Sequence, residues 1–162
     1  MKKERFEFEY ENYASVDELP EADAILLRRA KEATKQAYAP YSNFHVAAAA
    51  RLANGEIISG TNQENASYPV GICAERVLLS AASAVYPDQP IVSIAVTYDS
   101  RSVNSDHPVA PCGMCRQALQ EFEGRFQQPI RLIMGGMSGE IMVLPSTSHL
   151  LPFSFGKSEL NG

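Results

Sequence analysis

Three cysteines in 162 residues carry the first chemical signal. Two stand in Cys112-Gly-Met-Cys115, and the third opens Cys73-Ala-Glu-Arg76. An odd count with one close pair is a poor disulfide framework, and in a reducing compartment such a set points to metal or redox chemistry. A thioredoxin-type reading of the Cys-x-x-Cys leaves Cys73 without a role, whereas a metal reading uses all three. The spacing of Cys112 and Cys115 puts both thiolates on one side of a first helical turn. Pro111 directly before them suits a helix start, where its missing N–H costs nothing. Cys73 also stands where a loop enters a helix, and two helix N-termini aimed at one spot favour anionic thiolates there. Three thiolates around one Zn²⁺ leave the fourth tetrahedral position open, as in a catalytic rather than a closed structural site. Water in that position has its pKa lowered toward neutrality, so hydroxide becomes available as a nucleophile.

Glu75 separates an enzyme from a structural site. On a long helix an offset of two from Cys73 would carry it about 200° around. At the very start of a helix both side chains still reach the space in front of the helix end. A carboxylate there can take a proton from zinc-bound water and pass it on. Arg76 follows at once. Three thiolates, Zn²⁺ and hydroxide sum to −2, which would hold the water's pKa too high, and a guanidinium donating to the thiolates would offset that charge. The bland alternative for Arg76 is a surface charge.

The elements that must hold these residues can be read from the pattern. Residues 1–14 alternate Phe6, Phe8 and Tyr10 with glutamates, a weak strand pattern or a clamped arm. Ser15 and Asp17 are candidate caps for a helix from about Glu18 to Tyr38, with Leu26, Ala30, Ala33 and Ala37 on one face and Ala39-Pro40 ending it. Phe44 to Leu52 and Glu56 to Ser59 flank Asn54-Gly55, a strong hairpin signal. The four alanines Ala47 to Ala50 are small for a strand and suggest a helix packed closely against it. Residues 60–72 read as loop. Cys73 to Val85 reads as a mostly apolar helix, Ile91 to Thr97 as a buried strand, Cys112 to Phe122 as a helix, and Ile130 to Met134 and Ile141 to Leu144 as strands. Strands alternating with helices imply one sheet of about five strands covered on both faces. The expectation is an α/β, three-layer α-β-α single domain, residues 19–162, preceded by an amino-terminal arm at 1–18.

Composition narrows the partners. Apolar residues make up 45% and charged residues 20%, enough to fill one core in a soluble domain. A net charge of −5 without basic clusters argues against a nucleic-acid partner. No apolar run approaches a membrane span of roughly 18–20 residues. Met1-Lys-Lys3 is basic, but Glu4 to Glu9 follows where a signal peptide needs an apolar region, so a cytoplasmic location is expected.

Cys73-Ala-Glu-Arg76 together with Pro111-Cys-Gly-Met-Cys115 resembles the signature of the zinc-dependent cytidine deaminases in its three-cysteine form. Ala39-Pro-Tyr-Ser-Asn-Phe44, Gly60-Thr-Asn-Gln-Glu-Asn-Ala-Ser67 and Leu150-Leu-Pro-Phe-Ser-Phe155 are similar to segments of the free-nucleoside enzymes of that family. The resemblance runs from about residue 20 to 157. It implies a mixed sheet, one Zn²⁺ per chain on Cys73, Cys112 and Cys115, and Glu75 as proton shuttle. It further implies that Asn62 and Glu64 hold a ribose hydroxyl, that Phe44 and Ala74 contact the base, and that Phe155 reaches the site of a neighbouring subunit in a homotetramer with shared active sites. The implied activity is hydrolytic deamination of cytidine, deoxycytidine or both, in pyrimidine salvage. A hydroxyl held by an amide and a carboxylate is discriminated strongly, because its loss leaves buried polar groups unpaired.

Other readings compete. A structural Cys₃His site would take His45, His107 or His149 as fourth ligand, but it explains neither Glu75 nor the Asn62/Glu64 pair. Asn62 and Glu64 could be turn residues, and Phe44 an ordinary core residue. A zinc deaminase acting on a modified cytosine nucleoside or an aminonucleoside antibiotic would share the same catalytic residues.

Overall fold

Successive side chains of the central strands point alternately to two helical layers, and both sets are buried. The computed structural model describes residues 1–160; Asn161 and Gly162, the end of the expected catalytic domain, lie outside the described residues. Along the chain run β1 (Glu11–Tyr13), α1 (Glu21–Ala33), β2 (Phe44–Leu52), β3 (Ile57–Thr61), α2 (Ala74–Val85), β4 (Ile91–Ser100), α3 (Gly113–Phe126), β5 (Arg131–Gly135) and β6 (Ile141–Leu144). Among the described residues these strands form one mixed sheet in the order β1-β6-β5-β4-β2-β3. Only β4 and β5 are parallel, joined by the α3 crossover.

On one face Ala48, Ala50, Ile94 and Val96 meet Leu78, Leu79 and Ala82 of α2 and Leu119 of α3. On the other, Ala49, Ala95, Ile133 and Val143 meet Leu26, Leu27 and Ala30 of α1. The expected three-layer α/β domain is therefore what the chain builds. Ala47 to Ala50 are fully buried between the layers, so their smallness lets helices approach from both sides. Gly60 does the same for β3: a Cβ there would overlap the backbone nitrogen of Leu78. The Asn54-Gly55 hairpin forms as expected, with Gly55 at φ +88°.

Several boundaries differ from the sequence reading. The first helix begins at Glu21 behind Pro20 and not near Glu18 behind Ser15 or Asp17. Proline disfavours helical backbone in the residue before it, and Leu19 is extended at φ −67°, ψ 150°, so Val16–Glu18 is a separate 3-10 turn. The helix ends at Ala33, ahead of Ala39-Pro40. A 3-10 turn follows over Thr34–Gln36, with the Thr34 hydroxyl donating to the Lys31 carbonyl at 2.7 Å. The strand after the hairpin runs to Thr61, the fourth strand to Ser100 and α3 to Phe126, each beyond the expected end.

The sheet has six strands where about five were expected. The sixth, β1, comes from the amino-terminal segment and pairs antiparallel with β6. The Phe6, Phe8, Tyr10 alternation forms no strand; those rings stay exposed. Arg131 on β5 ties β1 down further. It donates to both Glu11 carboxylate oxygens, at 3.2 and 2.7 Å, and to Asp23 of α1 at 2.9 Å. The guanidinium keeps the Glu11 carboxyl below the usual carboxylate range. None of the helices among the described residues is long and apolar enough to cross a membrane.

Candidate active site

Helix starts place the sulfurs. Cys73 is the residue before the first turn of α2, Cys112 the residue before α3, and Cys115 lies in the first turn of α3. Cys112 Sγ stands 3.7 Å from Cys73 Sγ and 3.5 Å from Cys115 Sγ, and all three lie within 4.8 Å of one another. Zinc–thiolate bonds of about 2.3 Å set tetrahedrally put sulfurs roughly 3.8 Å apart, so donor type and spacing both fit one Zn²⁺. Among its neighbours, the Cys115 thiol does most to hold the Cys73 thiol below its usual range. The nearby Cys73 thiol, together with burial, pushes Cys115 up.

No histidine joins this cluster among the described residues. His107 contacts Tyr98 and Asp106, and His149 stacks on Phe8. The Cys₃His alternative thus lacks its fourth ligand.

Cys73 and Cys112 border a cavity of about 630 Å³. Glu75 lines it too, with only 4% of its surface exposed. Burial is the main force raising its carboxyl above the usual range, against smaller lowering effects from a backbone N–H and the Cys115 thiol. A carboxyl moved in that direction holds and releases protons nearer neutrality than an exposed one.

The sheet supplies the apolar floor through Phe44, Val46 and Val96. Buried Ala74 lines the cavity at the start of α2. Asn62 and Glu64 project from a segment bridged on one side to Tyr38 and on the other to Ile72. Asn62 Oδ1 accepts from Val46 N at 2.8 Å, and its Nδ2 donates to Phe44 O at 2.9 Å, leaving one donor and one acceptor position free. The Glu64 carboxylate accepts from Tyr41 N at 2.9 Å, Ser42 N at 3.3 Å and the Ser42 hydroxyl. That hydroxyl is the largest influence lowering its pKa. Both residues are therefore turn clamps and cavity residues at once.

Arg76 was expected to donate to the thiolates, but its side chain makes no hydrogen bond among the described residues. It favours the Cys73 thiolate through space instead. Phe155 does not line its own chain's cavity and is 60% exposed; Phe153 is 94% exposed.

Sequence reasoning missed Arg116. Its Nε donates to Pro111 O at 2.8 Å, just before Cys112, and its Nη1 donates to Leu150 O at 3.2 Å. Gln117 Nε2 continues the clamp with 2.8 Å to Phe155 O. Glu123 anchors the other end of the tail, accepting from Ile130 N, Thr147 N and the Thr147 hydroxyl, each at 2.8 Å. Their position on the cysteine helix was the only signal available, because the partners that tie them to the tail, Leu150, Phe155 and Thr147, lie 24 to 38 residues away.

Residues 20–127 match the family model of the cytidine and deoxycytidylate deaminase zinc-binding region. The chain is 37% identical over 139 residues to the cytidine deaminase of Halalkalibacterium halodurans, covering 85% of this chain and 96% of that protein. To the cytidine deaminase of Mycobacterium tuberculosis it is 36% identical over 146 residues, 88% of this chain and 96% of the other. The crystal structure of cytidine deaminase from Burkholderia pseudomallei superposes with a TM-score of 0.70 at 38% identity, covering 81% of this chain and 97% of that one.

Proposed function

The chain belongs to the zinc-dependent cytidine deaminases, and on that premise we propose that it hydrolyses free cytidine and deoxycytidine to uridine and deoxyuridine, releasing ammonia. The observation that carries this reading is the three-sulfur cluster bordering the same cavity as the buried Glu75. Zinc held by Cys73, Cys112 and Cys115 supplies activation of a water molecule as nucleophile.

Glu75 does the proton work. Its carboxylate takes a proton from that water and delivers it to ring N3 as C4 becomes tetrahedral. It then takes the remaining proton from the hydroxyl now on C4 and passes it to the amino group, which leaves as ammonia as the C4–N bond breaks and the C4 carbonyl forms. Tighter contact with the tetrahedral carbon than with the planar base is the source of rate. Phe44 walls the base, Ala74 lies at its edge, and the free hydrogen-bonding positions of Asn62 and Glu64 take a ribose hydroxyl. Arg76 offsets the thiolate charge through space.

The substrate in this reading is unphosphorylated. None of the described residues lining the cavity is Lys or Arg, and the Glu64 carboxylate would repel a phosphate. Residues 19–162 form the catalytic unit, and 1–18 an arm whose Glu11–Tyr13 strand joins its sheet. The exposed tail rings support a homotetramer in which Phe155 completes a neighbour's site. A cytoplasmic salvage role completes the proposal.

Zinc-loaded protein should lower cytidine absorbance with stoichiometric ammonia release, and do the same with deoxycytidine. Free cytosine, deoxycytidylate and an N4-substituted cytidine should react far more slowly. Preferential turnover of deoxycytidylate, or of an N4-modified or antibiotic nucleoside, would overturn the substrate assignment.

A further inference from the structure

We propose that Tyr98 is a positioning residue for the base, holding Phe44 in place and tying it to the loop that leads into α3. The inference rests on the reading of Phe44 as the wall of the base site. Phe44 faces Ser100 across the β2–β4 ladder while Val46 faces Tyr98, so Phe44 and Tyr98 are diagonal neighbours on one face of the sheet. Their rings lie 4.7 Å apart at 11°, a near-parallel contact that restrains Phe44 from swinging toward or away from the cavity.

Ring packing alone would be served by phenylalanine; the hydroxyl needs its own reason. Tyr98 is fully buried, and a buried phenol normally finds a partner. Tyr98 Oη donates to Asn104 O at 3.1 Å and lies 3.2 and 3.3 Å from the two ring nitrogens of His107. His107 in turn sits 3.1 Å from an Asp106 carboxylate oxygen. Asn104, Asp106 and His107 all belong to the segment between β4 and α3. That segment is pinned from outside as well. Ser105 Oγ accepts from Ser100 N at 2.9 Å, and Ser105 O accepts from Ser138 N at 3.2 Å. Gly136 and Gly139 press so closely on the backbone of Ser105 and Asp106 that a Cβ at either would overlap it. Further along the same segment, Val109 and Ala110 line the cavity, and Pro111 and Cys112 follow.

One phenol therefore joins two walls of the cavity, the aromatic floor on β2 and the loop wall ahead of Cys112. Neither Tyr98 nor His107 lines the cavity itself, so any effect on substrate must pass through Phe44 or the loop. A base stacking on an already fixed ring loses less freedom on binding, which lowers KM without touching the proton transfers.

The test compares cytidine kinetics of Phe44→Leu, Tyr98→Leu and the double variant, each checked for zinc content and melting temperature. Tyr98→Leu should raise KM about tenfold with kcat within about twofold. The double variant should be no worse than Phe44→Leu alone, because Tyr98 acts through Phe44. Tyr98→Phe, which keeps the buried ring, and His107→Gln, at an exposed position, should each raise KM about threefold and should not compound when combined. They carry the test if Tyr98→Leu does not fold. Wild-type KM in the Tyr98 variants, full multiplication of the Phe44 and Tyr98 effects, or loss confined to kcat would overturn the inference. Failure of the functional reading shows separately, as zinc-loaded wild-type protein that does not deaminate cytidine.

Discussion

Glu75 is the residue whose replacement most cleanly separates chemistry from structure. Glu75→Gln keeps size and hydrogen-bonding reach but cannot accept and return a proton. Zinc content and circular dichroism should stay at wild-type levels while kcat falls about 10²–10⁴-fold or more, the range for losing a general acid–base group. Near-normal turnover in such a protein would remove Glu75 from the mechanism. At this scale the sequence was most informative where chemistry depends on short spacing. Cys112, Cys115 and the Cys73–Glu75 pair could be read because a helix start brings near neighbours together. The anchoring of Asn62 by Val46 and Phe44, and of Glu64 by Tyr41 and Ser42, could not, because those backbone groups arrive from another strand or turn. The same limit applies to Arg76. Its neighbours in sequence were visible, but whether its guanidinium meets sulfur depends on where the side chain packs.

At the scale of elements, Gly60 and Glu11 carry opposite kinds of constraint. Gly60→Ala would force β3 away from the backbone of α2, where no flexible side chain can yield. Denaturant unfolding should show a loss of about 1–3 kcal/mol or more, as for overpacking. An unchanged midpoint would mean that α2 shifts freely, which would also disturb the Cys73 position it carries. Glu11 instead holds by charge. Because Arg131 depresses its folded pKa, its contribution is complete above the unfolded carboxylate range, near pH 4.3, and is lost as pH falls through the lower folded value. Amide exchange at β1 should therefore lose protection on acidification in wild type, while Glu11→Gln should show weaker protection already at neutral pH and little further change. Equal protection in both proteins at pH 7 would show that backbone pairing alone holds the strand. Helices α2 and α3 and the β2–β3 hairpin were legible because their signals are local: apolar period, Pro111 and Asn54-Gly55. Strand β1 was not, since three residues with one partly buried side chain carry no period. The side chain that ties it down further, Arg131, lies at the other end of the chain.

At the scale of the whole molecule, the fold class followed from the alternation of strands and helices, while assembly depends on surfaces that no periodicity describes. The tail is clamped along α3 by Arg116 and Gln117, yet Phe153, Phe155 and Leu160 remain exposed. Mixing Glu75→Gln protein with a chain lacking residues 150–162 tests whether tails act between subunits. If Phe155 completes a neighbour's site, mild dissociation and reassembly should regenerate activity from two inactive proteins. Each must first be shown folded and zinc-loaded. Mixed oligomers that form and stay inactive would assign Phe155 to packing.

The sulfurs of Cys73 and Cys112 belong to residues 39 apart in the chain, one at the head of each helix on the same sheet face. An ion held between them is a staple across a long loop, and it stabilises the native state by mass action. The helices do not depend on it to meet, because Leu78, Leu79 and Leu119 already share one buried cluster. A strong chelator should therefore lower the melting temperature by about 5–10 °C, the shift expected from a ligand at roughly a hundred times its dissociation constant. The far-UV spectrum at room temperature should stay unchanged. Collapse of the spectrum would mean that metal and fold are inseparable, and an unmoved melting temperature that the staple carries no load. Between those outcomes lies a protein that folds first and loads its metal afterwards, with ion loss reversible rather than fatal.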